Sequence, residues 1–422
     1  MTTRSGFYFL FLSLYTVVIS LCLRIYPSNY AGLMAILCFS AVMVSALLIS
    51  WAAEAAEFSI SQGLAIAIVA LLQVVPEFMV EAVIAWHKDI DLMMANVTGA
   101  NRLLMGVGWP VIFFTADISS RIKNKKKISS IALHPENIVE VVALFIASLY
   151  FVIVLLKRTL QIYDGIFLGA AFVGYLLVLK TLPEEEAEKK EDLLTMPRYL
   201  VSIQVRKRAV LLIAIFMVGG ATMWAVADPF LVSAKEVAAA AGISAFVFVQ
   251  WVAPFLSEFP EGVTAFYWAK SVRLAPMALL NLVSSKVSQW TLLVSMIPIV
   301  YSFSMGKVST IPLDIHHREE ILLSMMMTFY GCAALTKLRF TRGNAIVMFV
   351  LWLGQFIFPG RFTFLPEIPI VGNNSRVIIA IIFGLLAVYE VIRHHREFQI
   401  VHGIRETIKL AELKRLKSKV TA

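Results

Sequence analysis

The chain has 422 residues, of which 59% are hydrophobic and only 15% charged, and it carries a formal net charge of +9. A soluble protein of this length needs far more polar surface. The basic residues gather in a few loops and form no basic soluble domain, so a nucleic-acid partner is not expected. Repeated apolar runs, long enough to cross about 30 Å of hydrocarbon, define an all-α polytopic membrane protein. Cys22, Cys38 and Cys332 all fall in apolar runs and read as small core residues, with no disulfide or metal spacing.

In chain order, an apolar run at 7–26 follows Arg4 and is longer than the core of a cleavable signal peptide, so it reads as a retained helix. Runs at 31–57 and 62–86 come next, the second carrying Pro76, Glu77 and Glu81. A run at 91–115 contains Asn96, Gly99, Asn101 and Arg102. After the basic loop Arg121–Lys127, runs at 137–156 and 163–180 complete a first half. The stretch 183–208 opens acidic at Glu184-Glu185-Glu186, ends basic at Arg206-Lys207-Arg208, and reads as a central loop. The second half has runs at 209–231, 243–268, 275–302, 320–336 and 344–359, and a further run at 376–392 precedes a basic tail. Ile400, Ile404 and Ile408 recur at four-residue spacing in that tail. Such a stripe fits either a helix lying on anionic lipid or a solvated helix with a weak apolar face.

Counting Lys and Arg orients the twelve runs. One set of loops holds 26 of the 37 basic residues, the opposite set holds 9, and Arg102 and Lys286 lie inside runs. The richer set includes both termini and the central loop, which therefore face the cytoplasm. The expected location is the plasma membrane.

Two stretches carry the chemistry. Val74-Val75-Pro76-Glu77-Phe78-Met79-Val80-Glu81 and Ser257-Glu258-Phe259-Pro260-Glu261-Gly262 each place a proline immediately before a glutamate in an apolar run. A carboxylate in hydrocarbon costs several kcal/mol unless it is paired, wetted or protonated. Meeting that cost twice, in matching places, points to use of the groups. Glu81 and Glu258 share helix faces with Glu77 and Glu261. Each proline also releases a carbonyl one turn earlier, near Leu72 and Leu256. The turn after the first Pro-Glu lies outside and the turn after the second lies inside, so the halves are inverted, an arrangement found in many secondary transporters. Asn96 and Asn281 follow the two motifs at nearly equal distances, and Asp164-Gly165 and Arg342-Gly343 open the last helix of each half.

On these residues, over about 31–360, the chain resembles the cation/calcium exchanger superfamily, the sodium/calcium exchanger-like membrane proteins. The family pattern is roughly Gly-Ile-Ser…Gly-Thr-Ser-x-Pro-Glu…Gly-Asn-x-x-Gly-Ser-Asn. The resemblance implies two inverted five-helix repeats, 31–180 and 209–360, joined by the cytoplasmic segment 181–208. An extra helix stands at each end, within 1–30 and 361–393, and the tail is 394–422. It implies a cation site centred on Glu77 and Glu261, with Ser257 and freed carbonyls in the shell, and calcium wants six to eight such oxygens. The chain departs from the pattern where Gln73-Val74 replaces Thr-Ser, where Glu258 replaces a hydroxyl residue, and where Gly99-Ala100-Asn101 and Ser284-Ser285-Lys286 replace Gly-Ser-Asn.

Each group has a plainer reading beside the functional one. Glu77 and Glu261 are alternatively a structural pair. Glu81 and Glu258 either line the same cavity or do not. Asn96 and Asn281 either ligate or bond between helices. Lys286 and Arg102 are counter-charges that neutralise nearby glutamates, or Lys286 stands in for a bound sodium. Glu54 and Glu57 read as wetted or salt-bridged, His316-His317 as a solvated face, and Asn373-Asn374-Ser375 as an outward glycosylation sequon. The expected function is a secondary-active antiporter that exchanges calcium against protons or sodium by alternating access. A carboxylate in a low-dielectric cavity is also able to exchange protons. The competing expectation is a non-transporting sensor or scaffold, its site neutralised by Lys286 and Arg102. No enzyme motif falls in a fitting context, and no cofactor is expected. Inorganic cations and the bilayer are the expected partners, and the oligomeric state is open.

Overall fold

The computed structural model describes residues 2–25, 30–58, 74–182, 192–357 and 374–420. Among them, eight helices are long and apolar enough to cross a membrane, within Gly6–Leu23, Ala31–Ala56, Ile90–Asn124, Pro135–Lys157, Ile162–Thr181, Val205–Ala240, Ala275–Met305 and Ser375–Glu397. The other four expected runs do not meet that measure of length and apolarity among the described residues. The run at 243–268 carries two prolines and two glutamates, the run at 320–336 begins in charged residues, and 62–86 and 344–359 are only partly described. Leu72, Gln73, Arg361, Asn373, residues 183–191 and the Glu57 side chain lie outside the described residues.

The chain divides into two compact units, residues 1–96 with 186–264, and residues 97–185 with 265–422. In the first unit, α1 (Thr2–Ile25) and α2 (Ala31–Glu57) pack with α9 (Val205–Ala240). Small residues set the close approach: a Cβ on Gly219 of α9 would stand 2.7 Å from Ile49 of α2. Alanines 52, 55 and 56 of α2 form a core with Leu48, Leu212 and Ile215. α9 has 36 residues, or about 54 Å at 1.5 Å each, so it outruns the hydrocarbon. Residues assigned to the central loop are partly folded. Thr195–Ser202 form the short helix α8, whose Leu200 and Val201 join the core. Buried Arg208 donates to the carbonyls of Val201 and Phe58, at 2.8 Å each.

The same unit holds α3 (Val75–Trp86), the start of α4 (Ile90–Leu103) and α10 (Ala245–Ala269) to Thr264. Pro76 stands in the first turn of α3, where its missing N–H costs nothing. Pro254 and Pro260 lie inside α10, where each removes a ladder bond. Lys235 of α9 pairs with Asp89 at 2.7 Å, tying down the turn between α3 and α4.

In the second unit, α4 runs through a wide turn at Leu104–Gly108 into α5 (Trp109–Asn124). Strand β1 (Ser130–Ala132), α6 (Ile138–Lys157), β2 (Thr159–Leu160) and α7 (Ile162–Thr181) follow. The later part repeats the order: α11 (Ala275–Ser288), a wide turn at Gln289–Leu293, α12 (Val294–Met305), β3 (Ile311–Pro312), α13 (Ile315–Leu335), β4 (Arg339–Thr341) and α14 (Arg342–Ile357). The strands pair crosswise, β1 with β4 and β2 with β3, both antiparallel. Thus α6 and α13 each run from one ladder to the other, in opposite directions. An all-helical reading omits these strands because each is only two or three residues long.

The first helices and wide turns recur at an interval of 185 positions, and from Leu133 onward the local geometry recurs at 180. His134 and Asp314 open the two helical segments, each in a reciprocal bond with the residue three on, Asn137 or His317. Arg158 and Leu338 both take left-handed backbone, with φ of 59° and 53°. Leu313 N–H donates to Arg158 O at 2.9 Å, and Leu133 N–H to Leu338 O at 2.8 Å. The Tyr150 hydroxyl donates to Asp164 at 2.6 Å, and Tyr330 bonds Asn344 at 3.2 Å. Asn344, the residue directly after the Arg342-Gly343 pair matched from sequence, therefore does the work of Asp164. The side chain, not the glycine, fixes the register.

Two helices complete this unit. α15 (Ser375–His394) packs along α13 and is held at both ends. Arg376 pairs with Glu320 at 2.6 Å near its start, and Glu390 pairs with Lys337 at 3.1 Å near its end. The tail forms α16 (Ile400–Val420).

Candidate cation site

Five buried glutamates lie in the first unit. Glu54, Glu77, Glu81, Glu258 and Glu261 are all buried, between 0% and 6% exposed, in a unit whose one buried Lys or Arg among the described residues is Arg208. On α10, Ser257, Glu261 and Thr264 recur at helical spacing and share a face, with Glu258 beside them. Pro254 and Pro260 release carbonyls on that helix, and Ser257 Oγ donates to Ala253 O and Pro254 O, at 3.3 Å each. On α3, Glu77 and Glu81 stand one turn apart.

Hydrogen bonds cross between these helices. The Glu77 carboxyl stands beside those of Glu258 and Glu261. Asn96 of α4 donates to Glu81 Oε2 at 2.7 Å. Thr264 donates to Glu54 Oε1 at 2.7 Å. Glu77 Oε2 and Glu81 Oε1 are buried without a hydrogen bond. The result is a set of buried hard oxygen donors with excess negative charge, the donor type that a divalent cation or a proton requires.

Sequence reasoning placed Glu77, Glu81, Ser257, Glu258, Glu261 and Asn96 in the site, and all six fall in this unit. It gave Glu54 a wetted role and passed over Thr264. The spacing of Thr264 from Glu261 and Ser257 was the available signal.

The remaining candidates lie in the second unit. Asn281 is partly buried on α11. Lys286 is fully buried, and its ammonium donates to Asn101 O at 2.8 Å. Arg102, also buried, forms an ion pair with Glu320, which Arg376 joins from α15. Glu320 is thus the counter-charge of Arg102, at the first position of the run expected at 320–336.

The family model described as "Sodium/calcium exchanger protein" matches residues 29–181 and 211–359. Among solved structures, the chain is similar to an H+/Ca2+ exchanger, CAX, at 31% identity and a TM-score of 0.86, over 98% of this chain and all of that one. It also shares its fold with native YfkE at 13% identity and a TM-score of 0.53, over 90% and 99% of the two chains. A sodium–calcium exchanger, NCX_Mj, aligns at 18% identity and a TM-score of 0.48, over 77% and 98%. No curated protein matches the chain. A family match over both halves, separated near the central segment, agrees with the duplicated local geometry, and the chain belongs to the sodium/calcium exchanger family of membrane cation antiporters.

Proposed function

We propose that the chain exchanges calcium against protons by alternating access, with Glu77 and Glu261 at the centre of the transported cation's site. The observation that carries this reading is the burial of Glu77, Glu258 and Glu261 side by side, in a unit whose one buried Lys or Arg among the described residues is Arg208. The same oxygens can hold a proton or surrender it to a divalent cation, and that is the elementary requirement of proton-coupled exchange. Glu81, oriented by Asn96, adds a second charge, and Ser257 and the carbonyls released on α10 add neutral oxygens. Asn281 is the counterpart of Asn96 in the other half. Likeness to a solved H+/Ca2+ exchanger supports protons over sodium as the counter-ion.

Two halves inverted in the membrane, twelve spans and cytoplasmic termini complete the proposal. The crosswise strand ladders and the repeated intervals between matching residues support the inversion. Lys286 is proposed as a fixed positive charge that offsets part of the acidic excess. A non-transporting protein with its site neutralised would need Arg102 as well, and Arg102 already pairs with Glu320. The deciding experiment is calcium uptake into proteoliposomes. An imposed pH gradient should drive uptake with sodium absent, and a sodium gradient at matched pH should not. Uptake driven by sodium alone would replace the counter-ion, and no uptake under either gradient would refute transport.

A further inference from the structure

We infer that α16 lies in the plane of the bilayer surface and binds anionic lipid headgroups. Its docking places it across the ends of spanning helices. At its start, Gln399 N–H donates to Thr336 O, just past the end of α13, at 2.9 Å. One turn on, Gly403 meets the start of α6. A Cβ there would stand 2.6 Å from Pro135 O and from Ile138, so only glycine permits this seat. Thr407 continues the buried face. Further along, Lys414 donates to Lys180 O at 2.9 Å and Leu182 O at 2.6 Å, capping the carbonyls at the end of α7. From Gly403 to Lys414 the helix covers about 16 Å, reaching from the start of one span to the end of the next. A helix seated across such ends lies along the membrane surface.

The rest of α16 divides its surface as an interfacial helix does. Beside the docked face runs an exposed apolar stripe of Val401, Ile404 and Ile408, 63%, 41% and 54% exposed. Beyond the stripe come the exposed charges of Arg405 and Lys409. From Arg393 to the end of the chain there are eight Lys and Arg against three Glu. Protein takes one face, an apolar medium suits the second, and the third is basic. Anionic lipid at the water–hydrocarbon boundary satisfies the last two together. An acidic protein segment would answer the basic face and leave the isoleucines in water. The inference does not depend on which ion is exchanged.

The test uses the full chain, with the exposed Cys22 changed to Ser and a spin label at Ile408→Cys or His402→Cys, in phosphatidylcholine vesicles with or without phosphatidylglycerol. The label at 408 should collide more with oxygen than with a water-soluble nickel complex, and the label at 402, beside Arg405 and Lys409 on the basic face, should do the reverse. Phosphatidylglycerol should deepen the label at 408, and Arg405→Gln with Lys409→Gln should abolish that deepening. Equal nickel access at both sites would overturn the proposal, as would a depth that ignores lipid charge in the chain with Arg405 and Lys409 intact. Protection at 408 that rises with protein density instead of lipid charge would overturn it in favour of contact between copies.

Discussion

Glu77 and Glu81 face the same way on α3, yet the structure gives them different partners. Glu77 meets carboxyl groups, and Glu81 meets an amide. Glu77→Gln or Glu261→Gln keeps the shape and removes the charge, so calcium exchange in proteoliposomes should be lost while the protein still folds and inserts. Full activity in both variants would refute the site. Asn96→Ala is milder. It deletes a hydrogen bond to a charged group, worth about 1.5–3 kcal/mol, and should raise the calcium KM roughly tenfold or more. In the second unit, Glu320 serves two arginines. Glu320→Gln strands buried positive charge and should cost about 3–5 kcal/mol. Melting in detergent checks this, and an unchanged Tm would show that the arginines are held by other groups. Lys286→Met should also melt lower, and added calcium should restore more of the loss in the variant than it adds to the wild type.

Among elements, α10 was the most legible and the strand ladders the least. Charged residues and prolines in an apolar run announce themselves because hydrocarbon makes them costly, so both Pro-Glu motifs could be read directly. Thr264 offered only its helical spacing, since a threonine on a helix face is ordinary, and Glu320 offered less, since a glutamate in the charged run Arg318-Glu319-Glu320 looks solvated. The ladders pair residues as distant as Ser130 and Thr341, and no local pattern encodes such a partner. Helix packing by small residues was hidden for the same reason. Gly219→Leu should force α2 from α9 and lower the Tm of the protein in detergent, whereas Gly220→Leu, where a Cβ meets nothing within 4 Å, should leave it nearly unchanged.

For the whole molecule, the proposed twelve-span topology can be tested at the two strand ladders. The ladder of β1 and β4 and the ladder of β2 and β3 lie at opposite ends of α6 and of α13. Cysteines placed at Lys126 and Val308 should therefore label from opposite sides of the membrane, Lys126 from the cytoplasm. Labelling of both from one side would reject the twelve-span arrangement.

The crosswise ladders also constrain how the protein is made. During synthesis β1 emerges early, but its partner lies some two hundred residues downstream, and β2 waits likewise for β3. Neither half of the second unit can finish its own edges, so the newly inserted first half must persist with strand ends unsatisfied until the second arrives. Closure is a late, long-range event, which slows folding and leaves a window for misassembly or capture by a neighbouring chain. The same dependence means that two fragments cut in the central segment would each lack their closing strands until they found one another.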